Sequence, residues 1–228
     1  MTRPIITLSG ESLARARIEQ LLQDGAMLVF DDCDLSGADL SRLDLQESSF
    51  LNCILGETSF YAANLSRTRW QRCRAGHADF ESADLVDARF ESSDLNNTSW
   101  RRAKLASCLY RSCKLTGAAF EEVSYLGLAF EDSLLIGADL RRMSFRKLTL
   151  IGLDFADADL SGCDFRDAVF DGGSLREAHI KNTRFEGADL READLGGVKL
   201  VNARLFAGAT ISPRQAAEIV RAMGLNVA

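Results

Sequence analysis

Ala78-Asp79-Phe80-Glu81-Ser82, Ala83-Asp84-Leu85-Val86-Asp87 and Ala88-Arg89-Phe90-Glu91-Ser92 are three consecutive five-residue units in one phase. Outward from them, every fifth position is apolar from Phe30 to Leu205, 36 positions of which only Ala75 is small. The position two residues earlier is mostly small, as at Ala38, Ala63, Ala103, Ala138, Ala158, Ala188 and Ala193. In an extended chain residues i and i−2 point the same way, so each unit sends one large and one small side chain inward. A period of five is neither helical nor strand-like. Each unit is therefore a short extended piece ending in a corner, and a chain of such units coils. The register shows no break.

Ala38-Asp39-Leu40-Ser41-Arg42, Ala83-Asp84-Leu85-Val86-Asp87, Ala138-Asp139-Leu140-Arg141-Arg142 and Ala188-Asp189-Leu190-Arg191-Glu192 resemble the A(D/N)LXX units of the pentapeptide-repeat family. The resemblance implies an all-β solenoid, a right-handed quadrilateral β-helix with four units per coil and about nine coils over residues 28–207. Charge supports a coil of four units independently, because charges four units apart alternate in sign: Glu81, Arg101, Glu121, Arg141; Glu91, Arg111, Glu131; Arg74, Asp94, Lys114; Glu47, Arg67, Asp87. Stacked strands bring such residues together, where opposite charges attract and like charges repel.

A solenoid exposes core and unpaired edge at both ends, so caps are expected. In residues 1–27, Ser9 is the expected N-cap of a helix over Glu11–Gln23 carrying Leu13, Ile18, Leu21 and Leu22, with Gly25 as its stop. In residues 208–228, Ser212-Pro213-Arg214-Gln215 combines a capping box with proline at the first helical position, and Gly224 closes the helix. Ala216, Ile219, Val220 and Met223 form an apolar stripe, followed by Leu225. This helix is expected either to cap the last coil or to form a homodimer.

The 228 residues are 46% apolar and 26% charged, with only two prolines, as in one folded unit. The net charge of −6 argues against direct binding of nucleic acid and favours a basic partner surface. No apolar run approaches the roughly 18 residues of a membrane span, and Met1–Leu8 lacks the apolar stretch of a secretory signal. A cytoplasmic protein is expected. The charge is zoned: residues 28–59 set seven acids against Arg42 alone, while residues 60–119 set ten bases against six acids.

Cys33, Cys53, Cys73, Cys108, Cys113 and Cys163 all occupy the small inward position, in phase with the alanines. Core packing is expected of them, although Cys33, Cys53 and Cys73 stack closely enough for a disulfide. His77 and His179 point outward and lack metal-ligand spacing. The aspartate of each A-D-L unit recurs with the repeat, as a structural position does. With no nucleophile elbow, P-loop or dinucleotide fingerprint, the sequence reads as a non-enzyme without cofactor or metal. Trp70 and Trp100 fall at the large inward position, and an aromatic residue at every tenth position from Phe50 to Phe130 predicts aromatic stacks on two opposite sides.

Outward positions should be polar, so Leu126, Leu134, Ile136 and Ile151 mark a candidate partner-docking patch. Val123, Leu128, Met143, Leu148 and Leu153 enlarge the small inward position nearby. The resemblance implies a second surface. Family members of the Qnr and MfpA type are acidic dimeric rods that mimic duplex DNA and bind DNA gyrase or topoisomerase IV. The unbroken register matches the loop-free MfpA type, and Asp154, Asp157, Asp159, Asp164, Asp167 and Asp171 would imitate phosphates. Arg67, Arg69, Arg72, Arg74, Arg101, Arg102 and Lys104 oppose that use. The leading expectation is therefore a protein interaction scaffold with an unidentified protein partner. A DNA-mimicking binder of a type II topoisomerase is the alternative, and an exported effector the third.

Overall fold

The five-residue period becomes a four-sided parallel solenoid in which paired residues from Val29 to Asp194 lie 20 positions apart. The computed structural model describes residues 4–198, 203–222 and 224–227. It divides into two units, Met1–Leu134 and Leu135–Ala228.

In the first unit one side of the coil is a seven-stranded parallel sheet in chain order: β1 (Ile5–Ser9), β2 (Met27–Asp31), β3 (Ser49–Leu51), β4 (Arg69–Gln71), β5 (Arg89–Glu91), β6 (Leu109–Arg111) and β7 (Ala129–Glu131). The other three sides are held by single parallel bridges such as Asp34↔Ile54, Asp39↔Ser59 and Asp44↔Asn64. The core is aromatic. Phe30, Phe50, Trp70, Phe90, Tyr110 and Phe130 form one stack with centroids 4.0–5.2 Å apart. Phe60, Phe80, Trp100 and Phe120 form a second, and the two meet edge to face, as ring quadrupoles favour.

The corners explain how so short a unit can turn. The second residue after nearly every large inward one is left-handed, and among the described residues 24 of these are not glycine, including Arg42 (φ 60°), Ala62 (φ 53°) and Lys147 (φ 61°). An L-residue there costs about 1–2 kcal/mol. The cost is offset because its N–H donates to the next coil, as Arg42 does to the Tyr61 carbonyl at 2.9 Å. On three sides the corner also closes with a turn bond, for example from Ala38 N–H to the Leu35 carbonyl at 3.0 Å. After the strands of this sheet that bond is absent among the described residues. There Cys53 and Cys73 direct Sγ to the Phe30 and Phe50 carbonyls at 3.4 and 3.2 Å, and Ser133 directs Oγ to that of Tyr110 at 3.4 Å. Cys33, Cys53, Cys73 and Cys113 all belong to this corner; all six cysteines of the chain are buried and free.

The N-terminal expectation needs correction. Ser9 ends β1 instead of capping a helix, and α1 runs Arg15–Gln23 behind Ala14, which makes no side-chain cap. Residues 5–13 extend the solenoid backwards: β1 pairs with β2, Ser12 bridges Asp34, and Leu8 and Leu13 are buried in the inward register of Phe30 and Leu35. Two inward apolar residues at the right spacing prevail over a cap signal. Helix α1 follows with Ile18 and Leu21 buried, and Gly25 (φ 74°) ends the segment as expected.

In the second unit β8 (Thr149–Ile151) pairs in parallel with β9 (Val169–Asp171), and bridges such as Asp139↔Asp159 and Ser144↔Asp164 hold the other sides. Phe145, Phe165, Phe185 and Phe206 stack at 4.8–5.2 Å. The last of these corrects the expected register. Phe165 N–H donates to the Arg184 carbonyl, whereas Phe185 N–H donates to that of Leu205, one position later than the repeat requires. One residue has been added, so Phe206 and not Leu205 enters the stack, above a short 3₁₀ turn at Ala203–Phe206. Leu200 lies outside the described residues. The right-handed solenoid makes about eight turns, not the nine expected from counting units.

Helix α2 (Pro213–Ala222) closes this unit. Its capping box forms in both directions: Gln215 N–H donates to Ser212 Oγ at 3.3 Å, and Ser212 N–H to Gln215 Oε1 at 2.6 Å. Gln215 is also what seats the helix. It is 1% exposed, and its Nε2 donates to the Leu190 and Ala193 carbonyls at 2.7 Å each. The expected apolar stripe is only partly covered: Ala216, Ile219 and Val220 are half-buried and Leu225 is exposed, while Met223 lies outside the described residues.

Candidate interaction surface

With the inward positions of most units sealed in the core, function falls to the outward ones, and most of those are satisfied within the solenoid. The aspartate of each A-D-L unit is built into its corner. Ser41 N–H donates to Asp39 Oδ1, Glu81 to Asp79, Ala156 to Asp154, Ser161 to Asp159 and Gly196 to Asp194, each at 2.9 Å. These are Asx turns repeated along the chain. Hydrogen bonds from Arg166 and Arg191 hold Asp164 and Asp189 below the usual carboxylate range, and that of Gly196 does the same for Asp194. Burial pushes the Cys108 and Cys163 thiols up to about 12 and that of Cys113 to about 11, which leaves them protonated and unreactive.

The charge ladders form in part, with ion pairs in the Glu47–Arg67 and Glu91–Arg111–Glu131 columns, one exchange of partner at Glu81, and one pair outside the expected ladders, Lys104 with Asp84. Arg67 pairs with Glu47 at 2.8 Å, Arg111 with Glu131 at 2.7 Å and Lys104 with Asp84 at 3.2 Å. Glu81 pairs with Arg102 at the left-handed corner position, not with Arg101. Arg72 donates to Asn52. In this region the side chains of Arg69 and Arg89 make no hydrogen bond or ion pair among the described residues, only their backbone N–H groups donating to the previous coil. They are exposed and directly opposite each other on β4 and β5. They line a groove of about 560 Å³ together with Val29, Ser49, Leu51 and Glu91.

The six candidate phosphate-mimicking acids do not fall in one column. Asp154, Asp159 and Asp164 occupy three successive sides, bridged to Ser174, His179 and Arg184 respectively. Asp157 and Asp167 stand at left-handed corners and Asp171 ends β9. Two are also near bases: Asp164 is paired with Arg166 at 2.6 Å, and Asp159 lies 3.7 Å from Arg141. Neighbours in sequence are carried around the coil, while only residues a full coil apart share a column.

The apolar patch is divided as well. In the first unit Leu126, 88% exposed, stands before β7, and Leu134 stands beyond it on the ladder it shares with Lys114. In the second unit Ile136 is half-buried, while Ile151 is exposed on β8. Leu148, too large for the small inward position, is also exposed, and so is Val169 on β9. Sequence reasoning passed over Val169. An apolar residue immediately before a large inward one was the available signal.

Comparison with known proteins agrees with this architecture. A model described as pentapeptide repeat region matches residues 28–100. A second, described as pentapeptide repeats (8 copies), matches residues 83–123, 127–160, 149–187 and 170–205. Among curated proteins none matches the sequence. Two solved structures of trypsin-treated variants of QnrB1, a plasmid-mediated fluoroquinolone resistance protein, are similar in fold. One is 19% identical, covers 100% of both chains and has a TM-score of 0.54. The other is 20% identical, covers 99% of both and has a TM-score of 0.55.

Proposed function

The chain belongs to the pentapeptide-repeat family, and from that premise we propose that it is a non-enzymatic interaction scaffold that binds a protein partner in the cytoplasm. One observation carries this reading: on a surface whose carboxylates are largely absorbed by their own corners, Leu126 projects a bare apolar side chain at 88% exposure. Burying an exposed leucine against a partner is worth about 1.5–3 kcal/mol, enough to make one contact matter. The test is capture of partners from a lysate of the source cells by the immobilised chain. Wild type is expected to retain a protein that the Leu126→Ser/Leu134→Ser variant loses. Equal capture by both removes these leucines from the docking surface.

A second reading, a DNA-mimicking binder of a type II topoisomerase acting as a homodimer, is favoured by helix α2. Its one fully buried side chain is Gln215, and Ala216, Ile219 and Val220 stay half-buried and Leu225 exposed for a second copy to cover. A gyrase supercoiling assay with and without ciprofloxacin tests it. Inhibition or protection at micromolar protein supports mimicry, and its absence returns the chain to the first reading.

A further inference from the structure

The outward side of the strand sheet in the first unit is two columns wide, because each three-residue strand turns its middle residue inward. One column reads Asp31, Leu51, Gln71, Glu91, Arg111, Glu131, and its last three charges alternate in sign. The other reads Val29, Ser49, Arg69, Arg89, Leu109, Ala129. Here two arginines face each other across neighbouring strands, about 4.8 Å apart along the stack. Like charges placed directly opposite are destabilising. Arg67 pairs with Glu47 and Arg111 with Glu131, whereas the Arg69 and Arg89 side chains have no hydrogen bond or ion pair among the described residues and stand directly opposite each other.

We infer that the groove over β2–β5 is a docking site for an acidic, extended segment of a protein partner, with a carboxylate held between the Arg69 and Arg89 guanidiniums. Paired guanidiniums suit carboxylate oxygens, which accept two parallel N–H bonds from a single fork. Val29 and Leu51, in the same groove, provide an apolar surface beside the charge, so the segment carries an apolar residue next to its acid. A nucleic acid fits less well. Its phosphates follow one another every few ångströms, and Glu91 in the groove together with the chain's net charge of −6 would repel a continuous run of them. The unpaired arginines sacrifice stability in the free chain for attraction to the partner, as binding sites commonly do.

This inference rests on the scaffold reading and names the chemistry of one partner. Its test is fluorescence anisotropy of a labelled Glu-Glu-Leu-Glu-Glu-Leu peptide titrated with the full chain in 0.15 M NaCl. Saturable binding is expected, weakened at least tenfold by Arg69→Gln/Arg89→Gln and little changed by Arg101→Gln/Lys114→Gln, which removes the same charge elsewhere. The thermal midpoint of the groove variant should equal or exceed that of wild type, because a repulsion has been removed. No saturable binding, an equal loss in the control variant, a lowered midpoint, or tighter binding of an oligothymidylate of equal charge would each overturn it. If lysate capture is the same for wild type and the groove variant, the scaffold reading stands and this groove is not its site.

Discussion

Trp70 donates its indole Nε1–H to Thr68 Oγ1 at 2.9 Å, and the hydroxyl passes its own proton to the Leu65 carbonyl at 2.6 Å. The second tryptophan repeats the relay, from Trp100 to Thr98 at 2.8 Å and on to Leu95 at 2.7 Å. Each threonine occupies the small inward position immediately before its tryptophan. The aromatic core can therefore hold two indoles without a buried, unbonded N–H.

Thr68→Val keeps the shape and deletes the relay. It should destabilise the protein by about 1–3 kcal/mol, the cost of leaving a buried donor unpaired. Chemical denaturation followed by tryptophan fluorescence measures it, and Thr98→Val should behave alike. A loss within a few tenths of a kcal/mol would mean that water reaches the indole.

Gly173 is held at φ 81°, where an added Cβ would lie 2.1 Å from the Leu153 carbonyl oxygen. Gly173→Ala should cost about 3 kcal/mol or more, from the left-handed backbone and the collision together. Gly172 has a similar φ of 75°, but a Cβ added there would meet nothing within 4 Å, so Gly172→Ala should cost only about 1–2 kcal/mol. Thermal midpoints of the two variants, compared side by side, separate steric collision from backbone preference.

Gln215 bonds two carbonyls of the last coil. Gln215→Leu should cost about 1–3 kcal/mol by leaving them unbonded. Gln215→Glu should be worse at neutral pH, since a carboxylate cannot donate and would face those carbonyls with its charge. Amide exchange near Leu190 and Ala193 should rise in both variants. Unchanged exchange would show that α2 is not seated through this side chain.

Acid should loosen the solenoid in a defined direction. Asp34 and Asp39 are held below the ordinary carboxylate value by the Ser36 and Ser41 hydroxyls, as Asp164 and Asp189 are by their arginines. A folded-state value below the unfolded one gives stability that is complete above the ordinary aspartate range, about pH 4, and is lost as pH falls through the folded values. Denaturation midpoints should stay flat from pH 7 to about 5 and drop below about 4. A loss centred well above about pH 5 would contradict these assignments.

The repeat was legible because a single inward residue every fifth position is a strong, local signal. Phe50 and Trp70 needed no tertiary information to be placed in one stack, and the same phase put the six cysteines in the core. Local chemistry also fixed the capping box of Ser212 and Gln215. What required the structure was everything set by the neighbouring coil. Ser9 reads as a helix cap until Leu8 and Leu13 are seen burying themselves in register with Phe30 and Leu35. Leu205 keeps the period, yet Phe206 enters the core, because one inserted residue shifts every later contact without altering local composition. Asp154, Asp159 and Asp164 are close in sequence but lie on three sides of the coil, while Arg69 and Arg89, a full coil apart, line one groove. A sequence prescribes which side chains turn inward through local backbone geometry; which outward groups meet depends on stacking, and stacking is a property of the closed coil.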